Sequence, residues 1–154
     1  KTKTLKPFDP DLIFLSKSSV PYDANATSPI LTGKDGSKWE IEEWMHELSD
    51  DPEIVNLLWQ TMGAIIRPNV SWNKSAWFYS SKGNNGKGTL VELMRNLCGP
   101  GAYASLPLAD MSKDFMLEPL TRASAIIVDE NDVGQYLDRV ANLKAIQRLH
   151  GSVS

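Results

Sequence analysis

A glycine-rich turn set between a short apolar run and an amphipathic stretch constrains this chain more than any other feature. The segment Tyr79-Ser80-Ser81-Lys82-Gly83-Asn84-Asn85-Gly86-Lys87-Gly88-Thr89 holds three glycines, two asparagines and two lysines. So many residues that favour turns, and that weaken helix and strand interiors, predict a tight loop here. The chain on either side must therefore belong to separate elements. Ala76-Trp77-Phe78-Tyr79 reads as a strand feeding the loop. Thr89 to Leu97 places Leu90, Leu93, Met94 and Leu97 on one helical face, and Gly99-Pro100-Gly101 ends it.

A strand, a glycine-rich turn and a helix in that order are what a phosphate-binding loop requires. Small residues let successive backbone amides converge on phosphate oxygens, and the helix start faces the anion with its positive end. The expected phosphate cradle is Ser81, Gly83, Asn84, Asn85, Gly86, Lys87, Gly88 and Thr89. Lys87 is the residue expected to reach the β- and γ-phosphates. Against the pattern G-x-x-x-x-G-K-[ST], Ser81 occupies the first glycine position and Gly88 stands where the magnesium-binding hydroxyl normally sits. Thr89 follows and would supply that hydroxyl, directly or through a water. The competing reading is a glycine-rich hairpin turn with Lys87 solvated.

Hydrolysis would need carboxylates near the loop. Ala125-Ile126-Ile127-Val128 is an apolar, β-branched run of the buried parallel type, and Asp129 and Glu130 follow it directly. Strand ends of this kind deliver residues to the carboxyl edge of a sheet, where ligands bind. Asp129 is expected to hold magnesium through water and Glu130 to act as catalytic base, the alternative being two solvated acids. Asn131 and Asp132 read as the cap of a last helix carrying Leu137, Val140, Leu143, Lys144 and Ile146. Phe115 to Leu120 reads as partly helical, interrupted by Pro119.

Upstream, residues 1–36 are rich in Pro, Ser, Asp and Lys, with Leu12 to Leu15 and Val20 as a strand or two. Ser37 and Glu40 have capping-box spacing ahead of Ile41, Trp44, Met45 and Leu48. Asp51-Pro52-Glu53 opens a second helix with an apolar stripe from Ile54 through Ile66, stopping before Pro68. The expected fold class is α/β: a strand and helical-hairpin segment over 1–72, then a partial P-loop, AAA+-like ATPase domain with a parallel sheet over 73–154.

Composition narrows the setting. A net charge of −3 over 154 residues gives no long-range pull on nucleic acid, so any such surface is local or shared between subunits. The single cysteine, Cys98, excludes an internal disulfide and reads as a buried filler at a helix end. Cys98, His46 and His150 lack zinc-ligand spacing. No apolar run reaches the length of a membrane span and no signal peptide is evident, so the expected location is cytoplasmic. The five tryptophans could stack on bases, but their apolar spacing assigns most to the core. Lys82, Arg122, Lys144 and Arg148 read as solvated charges, with phosphate or DNA contact as the sharper alternative.

The loop Gly83 to Thr89 and the acid pair after Ile126-Ile127-Val128 resemble the phage and plasmid primase-helicases, the poxvirus-type branch of superfamily 3 helicases. Val20-Pro21-Tyr22-Asp23 and Trp44 through Gly63 are similar to the helical segment that precedes the motor in that family. The resemblance implies an AAA+-like core binding ATP and Mg2+, a homo-oligomeric ring (usually a hexamer) and translocation on single-stranded or forked DNA. It also implies a gene carried by a phage, plasmid or mobile element in a bacterial host. The family continues beyond the Lys144 region into a DNA-contacting hairpin, a sensor and an arginine finger. A chain running from Lys1 to Ser154 is thus expected to be the first half of such a motor. Two other expectations follow from the residues. Gly-Lys-Gly-Thr also ends the loop of small nucleotide phosphotransferases, although only Arg95 and Arg122 lie between Lys87 and Asp129. A non-catalytic assembly or loading module could use nucleotide to stabilise an interface.

Overall fold

The computed structural model describes residues 5–14, 16–67, 74–113, 118–129 and 144. They form a mixed α/β structure. A hairpin of β1 (Leu31–Thr32) and β2 (Lys38–Trp39) leads into α1 (Ile41–Glu47) and α2 (Pro52–Ile65). The glycine-rich loop then opens α3 (Lys87–Cys98), followed by β3 (Tyr103–Ala104), two short 3-10 turns (Leu108–Ser112 and Glu118–Thr121) and β4 (Ala125–Ile126).

The local chemistry explains most boundaries. In the hairpin, the register is Leu31 opposite Trp39 and Thr32 opposite Lys38. Its turn is closed by Gly33 N–H donating to Ser37 O at 2.8 Å and by Gly36 at φ 83°. Asp35 Oδ1 accepts from both Ser37 N (3.0 Å) and Ser37 Oγ (2.6 Å). Ser37 is therefore spent on the turn and does not cap α1. The cap lies three residues later, at Glu40, whose N–H donates to Glu43 Oε2 at 3.2 Å. The expected box thus survives in type and moves in register. α2 begins as its sequence predicts, with Asp51 accepting from Glu53 N at 2.8 Å and Pro52 in the first turn.

One core joins the helices. Met45 of α1, Val55, Leu58 and Met62 of α2, and Leu90, Val91, Met94 and Cys98 of α3 are buried together with Ala102 and Ile127. Strand β4 runs parallel to β3, pairing Ala125 with Tyr103 and Ile126 with Ala104. Ser124 N donates to Ala102 O (2.8 Å) and Ile127 N to Ala104 O (2.9 Å), extending the pairing at both ends. Ala125 and Ile127 face the main core, while Ile126 packs on a second cluster around Leu106 and Met111. Both faces of β4 are covered, which is why its run is continuously apolar.

Several expectations change. Ala76 to Tyr79 is not a strand: it has no sheet partner among the described residues, and Trp77 and Tyr79 are exposed while Phe78 packs on the core. Leu12 to Phe14 is likewise irregular and exposed, with no neighbour strand among the described residues, and Leu15 lies outside them. The parallel sheet of the described residues is the β3–β4 pair, with β3 unforeseen, so the expected multistranded P-loop core is not formed there. α3 starts two residues earlier than expected, at Lys87. Of the expected stretch Phe115 to Leu120, Glu118–Thr121 forms a 3-10 turn that includes Pro119 and is not interrupted by it, while Phe115 to Leu117 lie outside the described residues. The last helix lies outside the described residues except for Lys144, which is helical. Among the tryptophans Trp44 packs on the core, Trp39, Trp59 and Trp77 are exposed, and Trp72 lies outside the described residues. No helix among the described residues is long and apolar enough to cross a membrane.

Two outcomes follow from this packing. Met45 is 0% exposed, so Met45→Ala should lower unfolding free energy by about 2–5 kcal/mol in urea titrations. The two bonds from Ser37 hold the Asp35 carboxyl below the ordinary aspartate range. Its contribution to the hairpin is therefore fully present above the unfolded value of about 3.9 and is lost as pH falls through the lowered folded value. Amide resonances of Gly33 to Ser37 followed by NMR from pH 6 downward should report that loss, and Asp35→Asn should flatten it.

Candidate phosphate-binding site

The first turn of an α-helix leaves four amides without intrahelical partners, and α1, α2 and α3 treat them differently. α1 and α2 place acids there: Glu42 and Glu43 in one, Asp51 and Glu53 in the other. α3 begins at Gly86, which has no side chain to cap with, has no acid in its first turn and carries Lys87 as its first residue. A cation at the positive end of a helix is unfavourable by itself. The arrangement becomes favourable when an anion occupies the turn and meets both the amides and the ammonium.

The loop itself is ordered by its own side chains. Asn85 Nδ2 donates to Lys82 O at 2.8 Å, and Ser80 Oγ accepts from Lys82 N at 3.2 Å. Lys87 Nζ donates to Asn85 Oδ1 at 2.9 Å, folding the ammonium back over the turn. Asn84 adopts φ 51° and Gly86 φ 80°, so two left-handed residues shape the approach to α3. A Cβ on Gly86 would lie 2.4 Å from Leu48 Cδ2 and 3.6 Å from Trp44 Cζ2. The loop therefore rests on the end of α1. Sequence reasoning missed this support, though Trp44 and Leu48 at i, i+4 are the spacing that would build it. Gly83 and Gly88 have nothing within 4 Å of an added Cβ and lack positive φ, so packing does not demand glycine at either. Ser81, Gly83, Asn84, Gly88 and Thr89 are exposed, and Asn85, Gly86 and Lys87 are half-buried.

The acid pair is placed differently from expectation. Asp129 lies three residues beyond the end of β4, and the ion pair it makes is with Arg95 of α3 at 3.6 Å. Arg95 also meets Glu92 at 3.6 Å. It lies eight residues beyond Lys87, about 12 Å along the helix axis at 1.5 Å per residue. Asp129 is thus tied to the far half of α3. Thr89 is exposed in the first turn, and among the described residues no three His, Cys, Asp or Glu side chains gather as a metal site. A magnesium ion carried on nucleotide phosphates needs only one or two protein oxygens, and its two expected donors are placed differently, Thr89 in the first turn of α3 and Asp129 at Arg95. Glu130 lies outside the described residues, as do Asn131, Asp132, Arg148 and His150. Arg122 is exposed, and His46 sits exposed in the last turn of α1.

A small cavity of about 40 Å³ lies at the other end of α3, lined by Ser16, Lys17, Ser18, Ile66, Cys98 and Ser124. Burial pushes the Cys98 thiol up, and a hydrogen bond with Ser124 opposes that shift. No protein-family model matches the chain, and no curated protein matches it in sequence.

The loop glycines should separate in a stability measurement. Gly86→Ala forces a side chain onto φ 80° against Leu48 and should cost about 1–3 kcal/mol. Gly88→Ala, in the first turn of α3 with open space around it, should leave stability unchanged or raise it by up to roughly 1 kcal/mol. Thermal or urea unfolding of the two variants checks the contrast.

Proposed function

We propose that this chain is the ATP-binding part of a DNA-replication helicase of the primase-helicase type, in which nucleotide hydrolysis drives translocation on single-stranded DNA. The uncapped start of α3, with Lys87 on a positive helix end and the loop from Ser81 to Gly86 folded over it, carries the reading. No other α-helix of the described residues leaves its first turn so open to an anion.

In this reading Lys87 leaves Asn85 and takes up the β- and γ-phosphates, while the amides of Gly86, Lys87, Gly88 and Thr89 converge on phosphate oxygens. Thr89 and Asp129 are the oxygen donors for the magnesium ion that accompanies the nucleotide, and Glu130 is the base that orients water. Magnesium supplies charge neutralisation on the phosphates when bound. The β4 strand supports the assignment of Asp129, because ligands bind beyond the carboxyl ends of parallel strands and Asp129 lies three residues past the end of β4. The family and its ring assembly on DNA rest on the likeness of the Asn85-Gly86-Lys87-Gly88-Thr89 run and of the Asp129-Glu130 pair. A nucleotide phosphotransferase needs several arginines to clamp two nucleotides, and only Arg95 and Arg122 lie between Lys87 and Asp129.

Calorimetric titration with a non-hydrolysable ATP analogue and magnesium tests the reading. The unmodified chain should bind, and Lys87→Ala should weaken binding at least tenfold, about 1.4 kcal/mol or more. Binding that Lys87→Ala leaves unchanged overturns the nucleotide site. Hydrolysis by the chain as it stands should be slow, and phosphoryl transfer to nucleoside monophosphates overturns the motor reading.

A further inference from the structure

The last four carbonyls of a helix have no intrahelical donor and must find one elsewhere. At the end of α3 the chain itself supplies one, with Gly99 N donating to Arg95 O at 2.8 Å. The other three are met by a segment nearly eighty residues upstream. Ser19 Oγ donates to Asn96 O at 2.8 Å, Ser18 Oγ to Leu97 O at 2.6 Å, and Ser19 N to Cys98 O at 3.2 Å. Val20 N donates to Ser18 Oγ at 3.2 Å, which fixes that hydroxyl in its bridging position. Gly99 lets the segment close in: an added Cβ would lie 2.6 Å from Ser19 Cβ and 3.1 Å from its backbone nitrogen.

We propose that residues 16–20 form a detachable strap that caps the C-terminal end of α3 and covers Cys98. The attachment is polar. None of these residues belongs to either apolar cluster, and Val20 is 53% exposed. Beneath the strap lies the cavity of about 40 Å³, with Ser16, Lys17 and Ser18 on one wall and Ile66, Cys98 and Ser124 on the other. Three hydrogen bonds over an incompletely filled space are far weaker than the core that holds α3, so the strap opens while the rest stays folded. Opening bares the thiol of Cys98, which is 1% exposed with the strap in place. The device is independent of what the loop at the other end of α3 binds.

Cys98 is the single cysteine of the chain and reports the opening directly. Its labelling by an excess of an aromatic disulfide reagent is followed by absorbance at increasing urea. In the unmodified protein the rate should stay nearly flat at low urea and climb only where global unfolding sets in. Removing both side-chain donors in Ser18→Ala/Ser19→Ala should raise the rate without urea by about 10- to 100-fold, with the helical circular dichroism retained. A rate in the unmodified protein that climbs from zero urea with the slope of global unfolding overturns the strap. So does a folded double variant that labels at the unmodified rate. If the double variant does not fold, the urea profile of the unmodified protein decides alone.

Discussion

The burial of one face of α3 is the contact on which the remaining structure depends. Leu90, Val91, Met94 and Cys98 lie at or below 6% exposure and meet side chains from α1, α2 and the end of β4. Helices of seven and fourteen residues and strands of two are each too short to persist by themselves. Packing on α3 lets them form together. The same helix fixes the geometry at both of its ends. At the N-terminus Gly86 presses against Leu48 and Trp44, so the position of the loop is set by α1. At the C-terminus Gly99 presses against Ser19, so an upstream segment closes the helix.

Charge distributes unevenly along this rod. The N-terminal turn has a lysine and no acid, while the distal half gathers Glu92, Arg95 and Asp129 into a loose cluster at 3.6 Å separations. Asp129 is 52% exposed on its side chain, and solvent screens a pair of that kind, so the bond to Arg95 is a weak tether. The proposed magnesium role of Asp129 requires this pair to open. A divalent cation on bound phosphates competes easily against a screened ion pair.

The sequence made some parts legible because a local rule was sufficient. Asp51-Pro52-Glu53 opens α2 through an amide and a ring that need no distant partner, and Gly99-Pro100-Gly101 marks where α3 stops, although Ser18 and Ser19 from far upstream meet the carbonyls there. The loop and the helix behind it were readable from glycine spacing and the stripe of Leu90 and Met94. Strands were harder, because pairing is a property of two segments. Ala76 to Tyr79 has the composition of a strand yet finds no partner among the described residues, whereas Tyr103-Ala104 has little strand character and pairs with Ala125-Ile126. Ser37 was misassigned because a serine three residues before a glutamate fits both a helix cap and a hairpin turn. Asp35 decided between them by taking its hydroxyl. Arg95 could not be linked to Asp129 from spacing, since 34 residues separate them and only the parallel crossover brings them together.

The three loop glycines distinguish what the fold requires from what a ligand would require. Gly86 is explained by the fold, through its left-handed backbone and the side chain of Leu48 against it. Gly83 and Gly88 are not, because neither has positive φ and an added methyl on either would meet open space. Glycine in the first turn of a helix costs stability relative to alanine, so its presence at Gly88 works against the fold. Close approach of a bound group to the backbone gives that cost a physical reason. The same approach would explain why the first turn of α3 lacks the acids found at the starts of α1 and α2, since a carboxylate there would repel the anion. Two independent departures from what would best stabilise the helix thus fall within one turn, and the proposed phosphate seated on that turn would account for both.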